Sequence, residues 1–82
     1  MATAESIEQS IAAGLDCVHV QVVGDGHHWE ALIVCRAFEG LSKVRQHQLV
    51  YKALGDRMRE EIHALSMTTL TPAQWDEMRK AG

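Results

Sequence analysis

The run Ile62-His63-Ala64-Leu65-Ser66-Met67-Thr68-Thr69-Leu70-Thr71-Pro72-Ala73-Gln74-Trp75 decides how this chain folds. Read as a strand, it puts His63, Leu65, Met67 and Thr69 on one face and Ile62, Ala64, Ser66, Thr68 and Leu70 on the other. Thr71-Pro72-Ala73-Gln74 then supplies an N-cap hydroxyl, a proline at the first helical position and a glutamine three residues after the cap. A helix therefore starts there. His63 stands where a preceding helix gives way to this strand, at the rim of a sheet, where a ligand or proton carrier can be presented to a partner.

Working outward, Ile7, Ile11 and Leu15 recur every fourth residue on one stripe of a helix from about Thr3, and Gly14 suits its exit. From Cys17 to Val23 the chain alternates, with Val18, Val20 and Val22 on one face and Cys17, His19 and Gln21 on the other. Gly24-Asp25-Gly26 signals a turn, and alternation resumes from His28 to Cys35 through Trp29, Ala31 and Ile33, which predicts an antiparallel hairpin. Phe38-Glu39-Gly40-Leu41 breaks the pattern. Ser42 caps a helical region to about Glu61, with Val44, Val50 or Tyr51, Leu54 and Met58 as its core stripe. Gly55 allows either one helix or two. The last helix runs from Pro72 to about Lys80, with Trp75 and Met78 inward. A helical crossover makes the second and third strands parallel if they share a sheet. The expected fold class is α/β (α+β): a three-stranded mixed sheet with helices mainly on one face, in the order α-β-β-α(α)-β-α.

Residues 1–82 read as one small domain, with a core of modest size and little room for a deep enzymatic cleft. A charged share of 23% and a net charge of −3 exert no global pull toward nucleic acid or anionic membrane. No apolar run approaches the roughly 20 residues that span a bilayer, and the first residues lack the layout of an export signal. A cytoplasmic protein is expected. Cys17 and Cys35 are spaced unlike a metal or redox pair, although a hairpin could bring them to the same end. The expectation is two small buried thiols in a reducing compartment, with a regulatory disulfide as the alternative that no feature of the sequence supports.

Five pieces of the sequence together resemble the BolA family. They are the turn Val23-Gly24-Asp25-Gly26, the break Phe38-Glu39-Gly40-Leu41-Ser42 and the helix Val44-Arg45-Gln46-His47-Gln48-Leu49-Val50-Tyr51. The strand entry Ile62-His63-Ala64-Leu65 and the closing Thr71-Pro72-Ala73-Gln74-Trp75 follow. Their order and spacing match over nearly the whole chain. The resemblance implies a class II KH-like fold and a partnership with a monothiol glutaredoxin, in which a [2Fe-2S] cluster is shared across the interface. It further implies that His63 is a cluster ligand and that a second ligand comes from the loop between the first two strands, which here offers His27 and His28.

That reading fits the chemistry of the chain. Two cysteines cannot hold a cluster alone, so ligands must be borrowed. A glutaredoxin thiolate and a glutathione thiolate, with two imidazoles from this chain, complete four. Alternation sends His27 and His28 to opposite faces, so only one points along with His63. Relatives with a histidine before the aromatic residue favour His28. His47 reads as a polar residue of a helix face, and His19 as facing solvent or a helix edge.

The alternative is a nucleic-acid-binding transcriptional regulator, with DNA contacted by a basic helical surface of Lys43, Arg45, Lys52, Arg57 and Arg59. Asp56, Glu60 and Glu61 dilute that surface, and no Gly-x-x-Gly clamp lies between Gly40 and Tyr51. An enzyme is not expected, because His63 with Ser66 or Thr68 makes no nucleophile-base-orienter set.

Overall fold

Residues 2–81 are described by a computed structural model. Thr3 caps α1 (Ala4–Gly14) through a reciprocal pair of bonds with Ser6, and Ile7 and Ile11 are fully buried along its inner stripe. β1 (Cys17–Gly24) and β2 (His28–Cys35) pair antiparallel. A short 3-10 turn (Arg36–Phe38) then leads to α2 (Lys43–Leu54), capped by the Ser42 side chain. Gly55 ends α2 in a positive-φ conformation that favours glycine, and α3 (Arg57–Glu60) is a single turn. β3 (Ala64–Leu70) pairs parallel with β2, and α4 (Pro72–Ala81) closes the described chain. The sheet order is β1-β2-β3. The mixed sheet and the element order agree with the reading of the sequence.

The main core lies between the sheet and α1 and α2. Val22, Trp29, Ala31, Ile33 and Cys35 face it from the sheet, and Ile7, Ile11, Phe38, Val50, Leu54 and Ile62 close it. α4 packs against the opposite face, over the end of the sheet where Val34 and Leu70 are buried outside that cluster. There His19 stacks on Trp75, with ring centroids 5.1 Å apart, and Arg79 lies over the same indole. His19 thus lies against α4, in keeping with the helix edge that was one of its two expected settings.

Several expected positions differ. A β-bulge between Cys17 and His19 shifts the register, so Val18 is exposed and Cys17 turns toward the core. α2 presents Gln46, Val50 and Leu54 to the interior, one stripe at four-residue spacing. Val44 and Tyr51 lie off that stripe and are exposed. Met78, expected to face inward, is exposed on α4. The two cysteines are not free thiols: a disulfide joins Cys17 to Cys35, which are directly opposed in the β1–β2 ladder. Among the described residues no helix is long and apolar enough to cross a membrane.

Gln46 is the buried polar hub. Its amide nitrogen donates to the carbonyls of Phe38 (3.2 Å) and Leu41 (3.0 Å), and its oxygen accepts from the buried Thr69 hydroxyl at 2.7 Å. The network ties the 3-10 turn, α2 and β3 together. Gln46→Leu keeps the volume but takes the Gln46 partner from the buried Thr69 hydroxyl and the Leu41 carbonyl, while the Phe38 carbonyl keeps the Leu41 N–H. The expected cost is about 2–3 kcal/mol, or roughly 10–20 °C in Tm. A thermal melt within ~2 °C of wild type would show that these groups find other partners.

Candidate functional site

Loop and strand meet at the open end of the sheet. Asp25 organises the loop: its Oδ1 accepts from the backbone N–H groups of His27 (2.9 Å) and His28 (2.8 Å), and its own N–H donates to the His28 carbonyl at 3.2 Å. Gly26 has φ of 98°, a left-handed conformation that lets the chain reverse within this turn. The hydrogen bonds from His28 and His27 hold the Asp25 carboxyl below its ordinary value of 3.8. Because the folded value is depressed, the carboxylate's contribution to the turn is present above the ordinary range. It is lost as pH falls through the lower folded value.

His63 is set by the opposite arm. Arg57 donates to the Ser6 carbonyl (2.9 Å), Ser6 Oγ (2.7 Å) and Ser10 Oγ (2.6 Å), pinning α3 to α1. It also pairs with Glu61 at 2.6 Å, and this hydrogen bond holds the Glu61 carboxyl below the usual carboxylate range. Ile62 is buried, and Ala64 opens β3 directly beside His28. His63 therefore projects from a short segment fixed on both sides.

A surface cleft between these arms is lined by Ala2, Gly26, His27, Glu60, Glu61 and His63. Of the two loop imidazoles, His27 is the one that shares it with His63. His28 belongs to the face opposite the core, since Trp29 beside it is buried on the core side. All three imidazoles are exposed. Among the described residues no three His, Cys, Asp or Glu side chains converge as a metal site. The arrangement thus offers two nitrogen donors at one mouth. His47 lies on α2 and does not line this cleft.

The basic residues of the alternative reading are differently placed. Lys43 is committed to the Thr69 carbonyl, and Arg57 is turned onto α1. Arg45 and Lys52 flank a groove on α2 whose lining includes Leu41, Val44 and Leu49. They do not form one continuous cationic stripe with Arg57. Two residues important to the site were read differently in the sequence: Asp25 as a turn former only, and Arg57 as a surface cation. The Asp-Gly pair ahead of His27 is the signal that identifies the first, because an Asp side chain commonly bonds backbone two residues on. Nothing local marks the second.

Comparisons with known proteins bear on the family and the fold. A family model described as BolA-like protein matches residues 7–74. The acid stress protein IbaG of Escherichia coli is 36% identical over 75 residues, covering 90% of this chain and 89% of that protein. The structure of a BolA protein homologue from Coxiella burnetii is similar with a TM-score of 0.79 and 44% identity, over 93% of this chain and 99% of that one. A Bol-like protein from Babesia bovis has a TM-score of 0.85 at 28% identity, over 96% and 95% of the two chains.

Proposed function

The chain belongs to the BolA-like family, and from that premise we propose that it is a cytoplasmic adaptor, not a catalyst, for a monothiol glutaredoxin. The two proteins share a [2Fe-2S] cluster, with His63 and His27 as this chain's ligands. The role is iron-sulfur trafficking or the response to iron and redox stress. One observation carries the reading: His27 and His63 line a single exposed cleft at the open end of the sheet. Two imidazoles there fit one half of a cluster site, and the thiolates of the glutaredoxin and of glutathione supply the other half. Bound in this way, the cluster supplies a one-electron centre of raised reduction potential whose retention depends on the protonation of its nitrogen ligands.

The chain's own contribution is positional. Asp25 fixes the loop arm and Arg57 fixes the α3 arm, so the donors are held before a partner arrives. The nucleic-acid reading is the weaker one, since Lys43 and Arg57 are engaged within the fold and the groove beside Arg45 has an apolar lining.

The test is a titration of the chain into cluster-loaded monothiol glutaredoxin with glutathione, followed by visible circular dichroism. The wild-type chain is expected to change the spectrum. His27→Ala is expected to lose most of that change, and His28→Ala to keep it. The reverse order would move the second ligand to His28. No change with the wild-type chain would remove the shared cluster altogether.

A further inference from the structure

We propose that Cys17 and Cys35 are a reversible dithiol–disulfide couple, closed by glutathione disulfide through Cys17 and resolved by Cys35. The proposal does not depend on the cluster reading, since the pair sits at the end of the sheet remote from His27 and His63.

Three features carry it. First, the two residues are direct partners in the β1–β2 ladder, and the bulge after Cys17 turns its side chain to the core side where Cys35 lies. Second, contacts besides the covalent bond hold the two strands in register at this point. The neighbouring residues Asp16 and Arg36 are joined by a backbone hydrogen bond of 2.9 Å from the Arg36 N–H and by a side-chain pair at 3.2 Å. On this proposal those contacts keep the two sulfurs opposed when the bond is open, so that closure is intramolecular. Third, access is unequal. Cys35 is completely buried, whereas Cys17 is partly exposed and lines a surface cleft with Glu8, Gln9, Ala12 and His19. An external reagent meets Cys17 first.

The chemistry follows that asymmetry. The Cys17 thiolate attacks one sulfur of glutathione disulfide, forming a mixed disulfide and expelling one glutathione thiolate. The Cys35 thiolate then attacks Cys17 Sγ and expels the second. The two thiol protons of the protein end on the two glutathiones, the protein pair is oxidised and the glutathione disulfide is reduced. In the reverse direction, a glutathione thiolate attacks Cys17 Sγ and releases Cys35; a second removes the glutathionyl group from Cys17.

The test equilibrates the full chain in glutathione buffers from fully reduced to fully oxidised, then acid-quenches it for thiol counting and intact mass. The wild-type chain is expected to pass reversibly between two free thiols and none, without accumulating an adduct. Cys35→Ala is expected to trap one glutathione on Cys17. Cys17→Ala is expected to capture glutathione about tenfold more slowly or less, as a buried thiol should. Maleimide labelling of the reduced wild-type chain, read by peptide mapping, gives the same order without any core substitution: Cys17 before Cys35. Thiols that stay free in the oxidised buffer, a wild-type chain that stops at the mixed disulfide, or equal labelling of both cysteines would each overturn the proposal. His63→Ala should leave all of these readouts unchanged.

Discussion

Replacing His63 by alanine is expected to abolish most of the visible absorption and circular dichroism change that the wild-type chain causes in cluster-loaded monothiol glutaredoxin. The cleft offers two imidazoles, and removing one leaves His27 as a single donor. Even loss of an outer-shell partner typically lowers metal affinity about 10–100-fold, so loss of a direct ligand should exceed that range. The fold should be spared. His63 is exposed, and substitutions at such positions usually change stability by no more than about 0.5 kcal/mol. A normal melt with a lost spectrum would therefore locate the defect at the donor atom. His47→Ala, on α2 and outside the cleft, should behave as wild type. Cluster transfer by His63→Ala at wild-type affinity would end the ligand assignment.

Much of this arrangement was legible in the sequence, and the exceptions have physical causes. The strands were readable because alternation reports which residues share a pleat face, and the helix starts because Thr3, Ser42 and Thr71 are capping residues. The phase of β1 was lost at its first residues, because a bulge leaves no local mark in composition. The same bulge sets Cys17 opposite Cys35: the hairpin pointed to one shared end for the two cysteines, but separation along the chain does not give their register. On α2 the helical period was readable, yet Gln46 occupies the inner stripe that an apolar reading would give to Val44. A satisfied buried amide looks like a surface residue until its three partners are known.

The site was legible in its residue types and incomplete in its geometry. His63 and the loop histidines stand out because they fall at the strand entry and the hairpin loop, within or beside the motifs that carry the family resemblance. Which loop histidine joins His63 depends on how the chain passes through the Asp25–Gly26 turn. Strand alternation cannot be extended through residues that are not in a strand. The Asp25 carboxylate, by accepting from both His27 and His28, fixes that passage.

Gly24→Ala should be among the most damaging single-methyl additions to this chain, and the reason ties stability to the site. Gly24 pairs with Trp29 at the last rung of the β1–β2 ladder. A methyl group there would overlap the His28 carbonyl oxygen and come within 2.5 Å of Trp29 Cε3 and 2.9 Å of Cδ2. Neither neighbour yields cheaply. The carbonyl is backbone and accepts the Asp25 N–H, and the indole is buried in the main core. Overpacking of this kind typically costs about 1–3 kcal/mol, and the coupled loss of the Asp25 bond places Gly24→Ala at about 2–4 kcal/mol. In a domain of this size that corresponds to a fall in Tm of roughly 10–25 °C. Gly26→Ala offers the contrast. Its added methyl would meet nothing within 4 Å, and only its φ of 98° opposes the change, at a cost of about 1–2 kcal/mol. If crowding at the strand end governs, Gly24→Ala should melt lower than Gly26→Ala, shift the Trp29 emission and weaken cluster capture by displacing His27. Equal melts for the two variants would show that the strand end yields, and that the loop imidazole is not held by the packing of Trp29 against Gly24.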